Sequence, residues 1–147
     1  KELCQCTLEQ QRKHRSRISA PLLDRIDIHI EVPRISRKEL NGDSKQTEST
    51  KQIQQRTSRA FKIQMKRCGK HNADLSGKEL QKYCKLNDAD AKLLDSALDH
   101  LKLSTRAYHR ILKLSRTIAD LDNQQNISTK HLTEAISYRS LDRFTSI

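Results

Sequence analysis

Apolar and polar residues alternate strictly over residues 26–32. Ile26, Ile28, Ile30 and Val32 fall on one side, and Asp27, His29 and Glu31 on the other. A period of two predicts a half-buried strand, and Pro33 ends it. A strand needs a partner for its backbone N–H and C=O groups, and no other stretch of the chain reads as one. The first 33 residues are therefore expected to be the trailing edge of a larger α/β unit. Just before the strand, Ser19 precedes Ala20-Pro21-Leu22. A capping hydroxyl followed by proline in the first turn predicts a short helix over 19–25. Residues 7–17 are polar and basic, with nothing to break a helix and little to stabilise one.

Residues 34–50 are polar and carry Asn41, Gly42, Asp43 and Ser44. They read as a linker or loop, with 34–47 as its span. Beyond it the spacing turns helical. Residues 49–67 carry Ile53, Ala60, Ile63 and Met65 among many Gln, Lys and Arg, and Gly69 and Asn72 close that helix. Ser76 and Glu79 form a capping-box pair that opens a short helix through Tyr83. Asp88 is expected to cap the next helix, with Ala91, Leu94, Leu98 and Leu101 on one face. Ser104 caps a long helix with Ala107, Ile111, Leu114, Ile118 and Leu121 at helical spacing. Ser128 caps the last, with Leu132, Ala135 and Ile136 facing inward. Short connections predict roughly antiparallel neighbours. The expected fold is mainly α: a helical bundle over 48–142, preceded by a short α/β remnant and followed by a tail at 143–147.

Composition limits what this bundle can bury. The chain has 147 residues with a hydrophobic fraction of 34%. Its only aromatic residues are Phe61, Phe144, Tyr83, Tyr108 and Tyr138, so a modest core of Leu and Ile is expected. The formal net charge is +11 and the pI about 9.8. Such a surface attracts polyanions, nucleic acid above all, or serves solubility alone. The charges of Lys51, Arg56, Arg59, Lys62, Lys66 and Arg67 spread around their helix, so a solvated face is the default and phosphate contact the alternative. The cysteines are Cys4, Cys6, Cys68 and Cys84. Without a secretory signal or a long apolar run, a reduced, cytoplasmic setting with no membrane contact is expected. Opening mid-pattern at Lys1, the chain reads as a piece of something longer.

The sequence has no Gly-x-x-x-x-Gly-Lys-Ser/Thr phosphate loop: Gly69 and Gly77 are too far apart, and Glu79 follows Lys78. No apolar strand ends in an Asp-Glu pair suited to magnesium. The chain is therefore not a complete P-loop ATPase and is not expected to be catalytic alone. Two arginines stand out. Arg25 lies where the short helix meets the strand; it pairs with Asp24 or Asp27 at the surface, or it projects from a subunit edge. Arg106 lies in the first turn of the long helix, where the dipole disfavours a cation; it is either simply solvated or set against an anion. On residues alone two rival classes stay open. One is an autonomous basic helical module with Arg106 and Arg110 on DNA phosphates. The other is a plain interaction domain.

The run Arg17-Ile18-Ser19-Ala20-Pro21-Leu22-Leu23-Asp24-Arg25-Ile26-Asp27-Ile28 resembles the signature of magnesium chelatase-like AAA+ ATPases, more closely the ComM/YifB branch. That family usually has Gly where this chain has Ala20. The run from Leu103 through Arg106, Arg110 and Arg116 to Leu121 resembles the same family's lid helix, with Ser115 where the family has Ala. The closing stretch from Ile127 through Tyr138 to Asp142 is similar too. The resemblance implies that 1–33 ends an AAA+ core and that 48–142 is its helical lid. It further implies a homo-oligomeric ring, typically a hexamer, that hydrolyses ATP with Mg2+ to remodel DNA, as in branch migration during natural transformation. Chelatase relatives instead drive metal insertion into a porphyrin. By the same resemblance Arg25 is a trans arginine finger, reaching the site of the adjacent subunit. Arg106 is the sensor-2 arginine that reads the ATP γ-phosphate in cis, and Arg110 and Arg116 have support roles. Cys4-Gln5-Cys6-Thr7 resembles the second half of a Cys-rich stretch in the family. Two thiolates do not complete a zinc site, so neither metal nor nucleotide is expected on this chain alone.

Overall fold

A computed structural model describes residues 6–35, 37 and 48–139 of the chain. Helices α1 (Leu8–Arg15) and α2 (Ala20–Asp24) precede a stretch, 26–35, that is neither helix nor strand. From residue 48 on, the described residues form α3 (Thr50–Cys68), α4 (Gly77–Tyr83), α5 (Asp88–Leu101), α6 (Thr105–Leu121) and α7 (Thr129–Ser137). A single 3-10 turn, Asn72–Asp74, joins α3 to α4. Most of the expected linker and the whole expected tail lie outside the described residues.

Caps decide where these helices start. Ser104 Oγ accepts from the Ala107 N–H at 3.1 Å, and Ser49 Oγ from the Gln52 N–H at 3.3 Å. Each such bond satisfies one of the orphan N–H groups of a first turn and contributes about 1 kcal/mol. The cap of α5 is Asn87, one residue before the expected Asp88: its Oδ1 accepts from the Asp90 N–H at 2.8 Å. Asp88 becomes the first helical residue, where its charge suits the dipole. The α1 helix has the stabiliser that its composition hides. Thr7 Oγ1 accepts from the Gln10 N–H at 3.2 Å, and Gln10 Oε1 accepts from the Thr7 N–H at 2.8 Å, a reciprocal box. Gly69 ends α3 at φ 72, a left-handed conformation that needs glycine.

The core gathers on α6. Helices α3, α4 and α7 and the 3-10 turn all pack against it, and α5 packs on α7. Ile111, Leu112, Ile118 and Ala119 of α6 meet Leu132 and Ala135 of α7, Leu80 and Cys84 at α4, and Leu94 of α5. Full burial of one such aliphatic side chain stabilises by about 1.5–3 kcal/mol. Desolvation pushes the buried Cys84 thiol up to about 11, so it is inert. The contribution of α3 is different. Only Ala60 and Gln64 are buried along it, and Ile53 is exposed.

Polar contacts hold α3 in place. Asp120, fully buried near the end of α6, pairs with Arg67 of α3 and with Arg116 one turn earlier on α6. Asn72 Nδ2 donates to Asp120 Oδ2 at 2.8 Å. Arg116 also donates to the Gln124 and Gln125 carbonyls at 2.6 and 2.8 Å, which pins the turn between α6 and α7. Burial lowers the pKa of Arg116, and the adjacent Asp120 opposes that effect.

The predicted strand is not formed, and the described residues contain no strand. Residues 26–35 form neither helix nor strand, and the burial that their alternation predicts is not seen. Ile26, Ile28, Ile30 and Val32 are exposed, whereas His29 from the polar side is buried. The physical reason is the missing partner. No sheet receives the apolar face, so the segment lies along the bundle and the His29 N–H donates to the Tyr138 carbonyl at 2.9 Å.

Glu79 gives the fold a measurable pH dependence. Lys70 lies 2.6 Å from its carboxylate, and the Ser76 N–H and Oγ both donate to it, at 2.8 and 2.7 Å. These contacts, the lysine first, lower its pKa from 4.5 to about 2. A lowered folded-state pKa favours the folded state above the unfolded pKa, and that benefit is lost as pH falls through the folded one. Stability is expected to drop between about pH 4.5 and pH 2, and Glu79→Gln to flatten that part of the profile. Urea denaturation across pH checks this; an unchanged slope in the variant removes Glu79 from the account.

Candidate functional site: an arginine-bearing junction

Arg25 is the C-terminal cap of α2, with its N–H bonded to the Leu22 carbonyl at 3.0 Å. Its side chain is exposed and has no ion pair among the described residues. The two carboxylates that flank it are committed elsewhere. Asp24 Oδ1 accepts from Ser104 Oγ at 2.7 Å and lies 3.9 Å from the Arg139 guanidinium. Asp27 pairs with Arg110 at 2.5 Å. The surface ion pair that the sequence allows for Arg25 is therefore not made.

The same contacts fasten the α2 junction to the helical bundle. Arg139, which is 1% exposed, also donates to the Ile26 carbonyl. Ser104 serves twice: its hydroxyl caps α6 and donates to Asp24. Arg106 follows it by two residues, in the first turn of α6, and it too is exposed without an ion-pair partner among the described residues. Ser104 thus joins the carriers of Arg25 and Arg106. Each presents a guanidinium, a planar fork of donors that matches phosphate oxygens. Among the described residues no carboxylate forms an ion pair with either guanidinium.

Arg110 and Arg116 have structural duties here. Arg110 holds Asp27, and Arg116 is 2% exposed and locked to Asp120. The resemblance gave both support roles, and their burial and ion pairs set them apart from the exposed Arg106. Arg139 is the residue whose part in the junction sequence reasoning missed, and a lone arginine after α7 carries no periodic signal. Among the described residues, no group of three or more His, Cys, Asp or Glu side chains is arranged to hold a metal ion; Cys4 lies outside them. No described helix is long and apolar enough to cross a membrane.

Fold and site define a helical unit that carries a docked segment and presents Arg25 and Arg106 without ion-pair partners among the described residues, in a sequence without a phosphate loop. Comparison with known proteins gives this unit its relatives. The family model for the C-terminal part of magnesium chelatase subunit ChlI matches residues 47–139, and the model for magnesium chelatase subunit ChlI itself matches residues 1–40. The chain belongs to the magnesium chelatase family. It is 47% identical over 135 residues to the competence protein ComM of Haemophilus influenzae, covering 92% of this chain and 26% of that protein. It is 44% and 43% identical to the YifB proteins of Salmonella typhimurium and Escherichia coli, over 94% of this chain and 27% of each. The chain thus spans about a quarter of the length of these relatives.

Proposed function

We propose that the chain is the helical lid portion of a ComM-like AAA+ subunit that hydrolyses ATP in a ring to remodel DNA. In this reading Arg25 is an arginine finger in trans and Arg106 the sensor-2 contact to the γ-phosphate. The observation that carries it is that the exposed Arg25 and Arg106 have no ion-pair partner among the described residues, while both carboxylates that flank Arg25 are engaged elsewhere. An arginine kept unpaired at such a junction is poised for an anion supplied from outside the bundle. Bound nucleotide with Mg2+ would supply the triphosphate; the described carboxylates form no ligand set for the metal, whose ligands would come from the rest of the subunit. Arg25 and Arg106 would orient and neutralise phosphate oxygens. The Asp24–Ser104 hydrogen bond couples them mechanically, so a lid rotation that displaces Arg106 also pulls on the Arg25 segment.

The net charge of +11 supports a DNA substrate over the metal insertion of other chelatase relatives, since a polyanion is its natural counterpart. The test is ATP turnover by the full-length subunit with and without single-stranded, duplex and branched DNA. Turnover stimulated by DNA is expected. Absence of turnover under all conditions refutes the ATPase reading. Turnover indifferent to DNA removes only the DNA part.

A further inference from the structure

The basic helix α3 resolves into a directional surface once its internal contacts are subtracted. Residues 50–68 contain six Lys and Arg residues and no Asp or Glu. Three of the six are committed. Arg56 pairs with Glu48 at 2.7 Å, Arg67 pairs with the buried Asp120, and Arg59 donates to the Leu121 carbonyl at 3.3 Å. Lys51, Lys62 and Lys66 remain. All three are exposed, and none has an ion-pair partner among the described residues. Their offsets of 11 and 15 residues place them within about 60° of arc at 3.6 residues per turn, along about 22 Å of helix. The buried residues Ala60 and Gln64 lie on the other side of the helix, against α6. The charges that seem scattered along the sequence therefore leave one uncompensated lysine stripe facing away from the bundle. Gln55 and Ser58, both exposed, lie between its lysines and add neutral hydrogen-bonding groups.

We propose that this face of α3 is a nucleic-acid-binding surface on which Lys51, Lys62 and Lys66 contact the phosphate backbone without reading sequence. The proposal rests on the DNA part of the function above and gives it a location. Charge complementarity selects the occupant. The stripe is linear, carries cations only, and keeps them as mobile, hydrated ammonium groups. That suits a repeating polyanion whose charges recur every ~1.7 Å of duplex axis. A membrane surface would call for an apolar side on the same face, and the stripe has none. Phosphate contacts of this kind release counterions, so binding should weaken steeply with salt.

The experiment is fluorescence anisotropy of labelled single-stranded and duplex oligonucleotides with the 147-residue chain across a salt series. The variant is K51Q/K62Q/K66Q. A control, K78Q/K85Q/K92Q, removes the same charge at exposed lysines away from α3. Circular dichroism of each protein verifies that the helices are retained. The α3 variant is expected to bind at least about tenfold more weakly than the control near 0.1 M salt. Its log–log salt slope for duplex should be shallower by up to about 2.7, or 0.9 for each of three lost contacts. Equal weakening in both variants means that net charge acts without a site, and overturns the proposal. Wild-type affinity in the α3 variant overturns it as well, while leaving DNA-stimulated turnover by the full-length subunit standing as its own test. A wild-type chain that binds no oligonucleotide at low salt also overturns it.

Discussion

Replacing Arg25 by alanine in the full-length subunit is expected to lower ATP hydrolysis by about 10³-fold or more while leaving nucleotide affinity nearly unchanged. A finger that meets charge developing on the transferring phosphoryl group stabilises the transition state more than the bound ground state. The fold should not respond, because the Arg25 side chain is exposed and has no ion pair among the described residues. Arg25→Lys should also be poor, since an ammonium group keeps the charge but loses the planar fork. The direction of action is separable by mixing subunits. The Arg25→Ala subunit is combined with one whose phosphate-loop lysine is replaced. In trans, some interfaces of the mixed ring hold both intact groups, and activity rises above that of either parent. Strictly cis action gives no such rescue. Normal turnover by rings of Arg25→Ala subunits alone would exclude the finger assignment altogether.

Asp120→Ala should produce the largest loss of stability. Its carboxylate is fully buried and is shared by Arg67, Arg116 and Asn72. Removing it leaves Arg116 buried without its counter-charge, a change that costs about 3–5 kcal/mol. Native domains have only about 5–15 kcal/mol in total. The thermal midpoint of the 147-residue chain should fall on the order of 10–30 °C, measured by the loss of helical circular dichroism. The effect should also be non-additive. Asp120→Ala combined with Arg116→Met removes the buried cation together with its counter-charge and should recover part of the loss, but not the part owed to Arg67 and Asn72, which also lose the carboxylate. A fall of under 1 kcal/mol in the single variant would mean that water or rearrangement compensates Arg116. The network would then be peripheral to the fold.

The two expectations have different roots. Arg25, the proposed arginine finger, is an exposed group whose proposed task lies outside the bundle, so its loss should be silent in folding and severe in turnover. Asp120 does its work inside. It is the point where α3, the 3-10 turn and α6 meet, and α3 has few buried apolar residues to replace it.

Much of the helical layout was legible in the sequence, because helix starts and stops are local chemistry. Ser19, Ser49, Ser76, Ser104 and Ser128 carry their own capping oxygens, and Gly69 carries its conformational freedom. The apolar spacing of α6 likewise announced the helix on which the core is built. Arg25 and Arg106 were marked by motif and position. Apart from the local Thr7–Gln10 box that starts α1, what escaped was nonlocal. The reading of 26–32 as a strand failed because alternation reports a preference for a two-sided surface, while a strand exists only where a partner supplies hydrogen bonds. The burial of His29 and the exposure of its apolar neighbours follow from that absence.

By itself, then, the sequence determined the α-helical class, the starts of the helices it predicted to within a residue or so, and the two arginines to watch, since each depends on residues within a few positions of one another. Only the tertiary structure decided which charges are free. Asp24 and Asp27 lie beside Arg25 in the chain but are taken by Ser104 and Arg110, and Arg67 and Arg116 are withdrawn from the surface by Asp120. Pairing energy falls off within a few ångströms, so partners are chosen by distance in space, and distance in space is what folding sets.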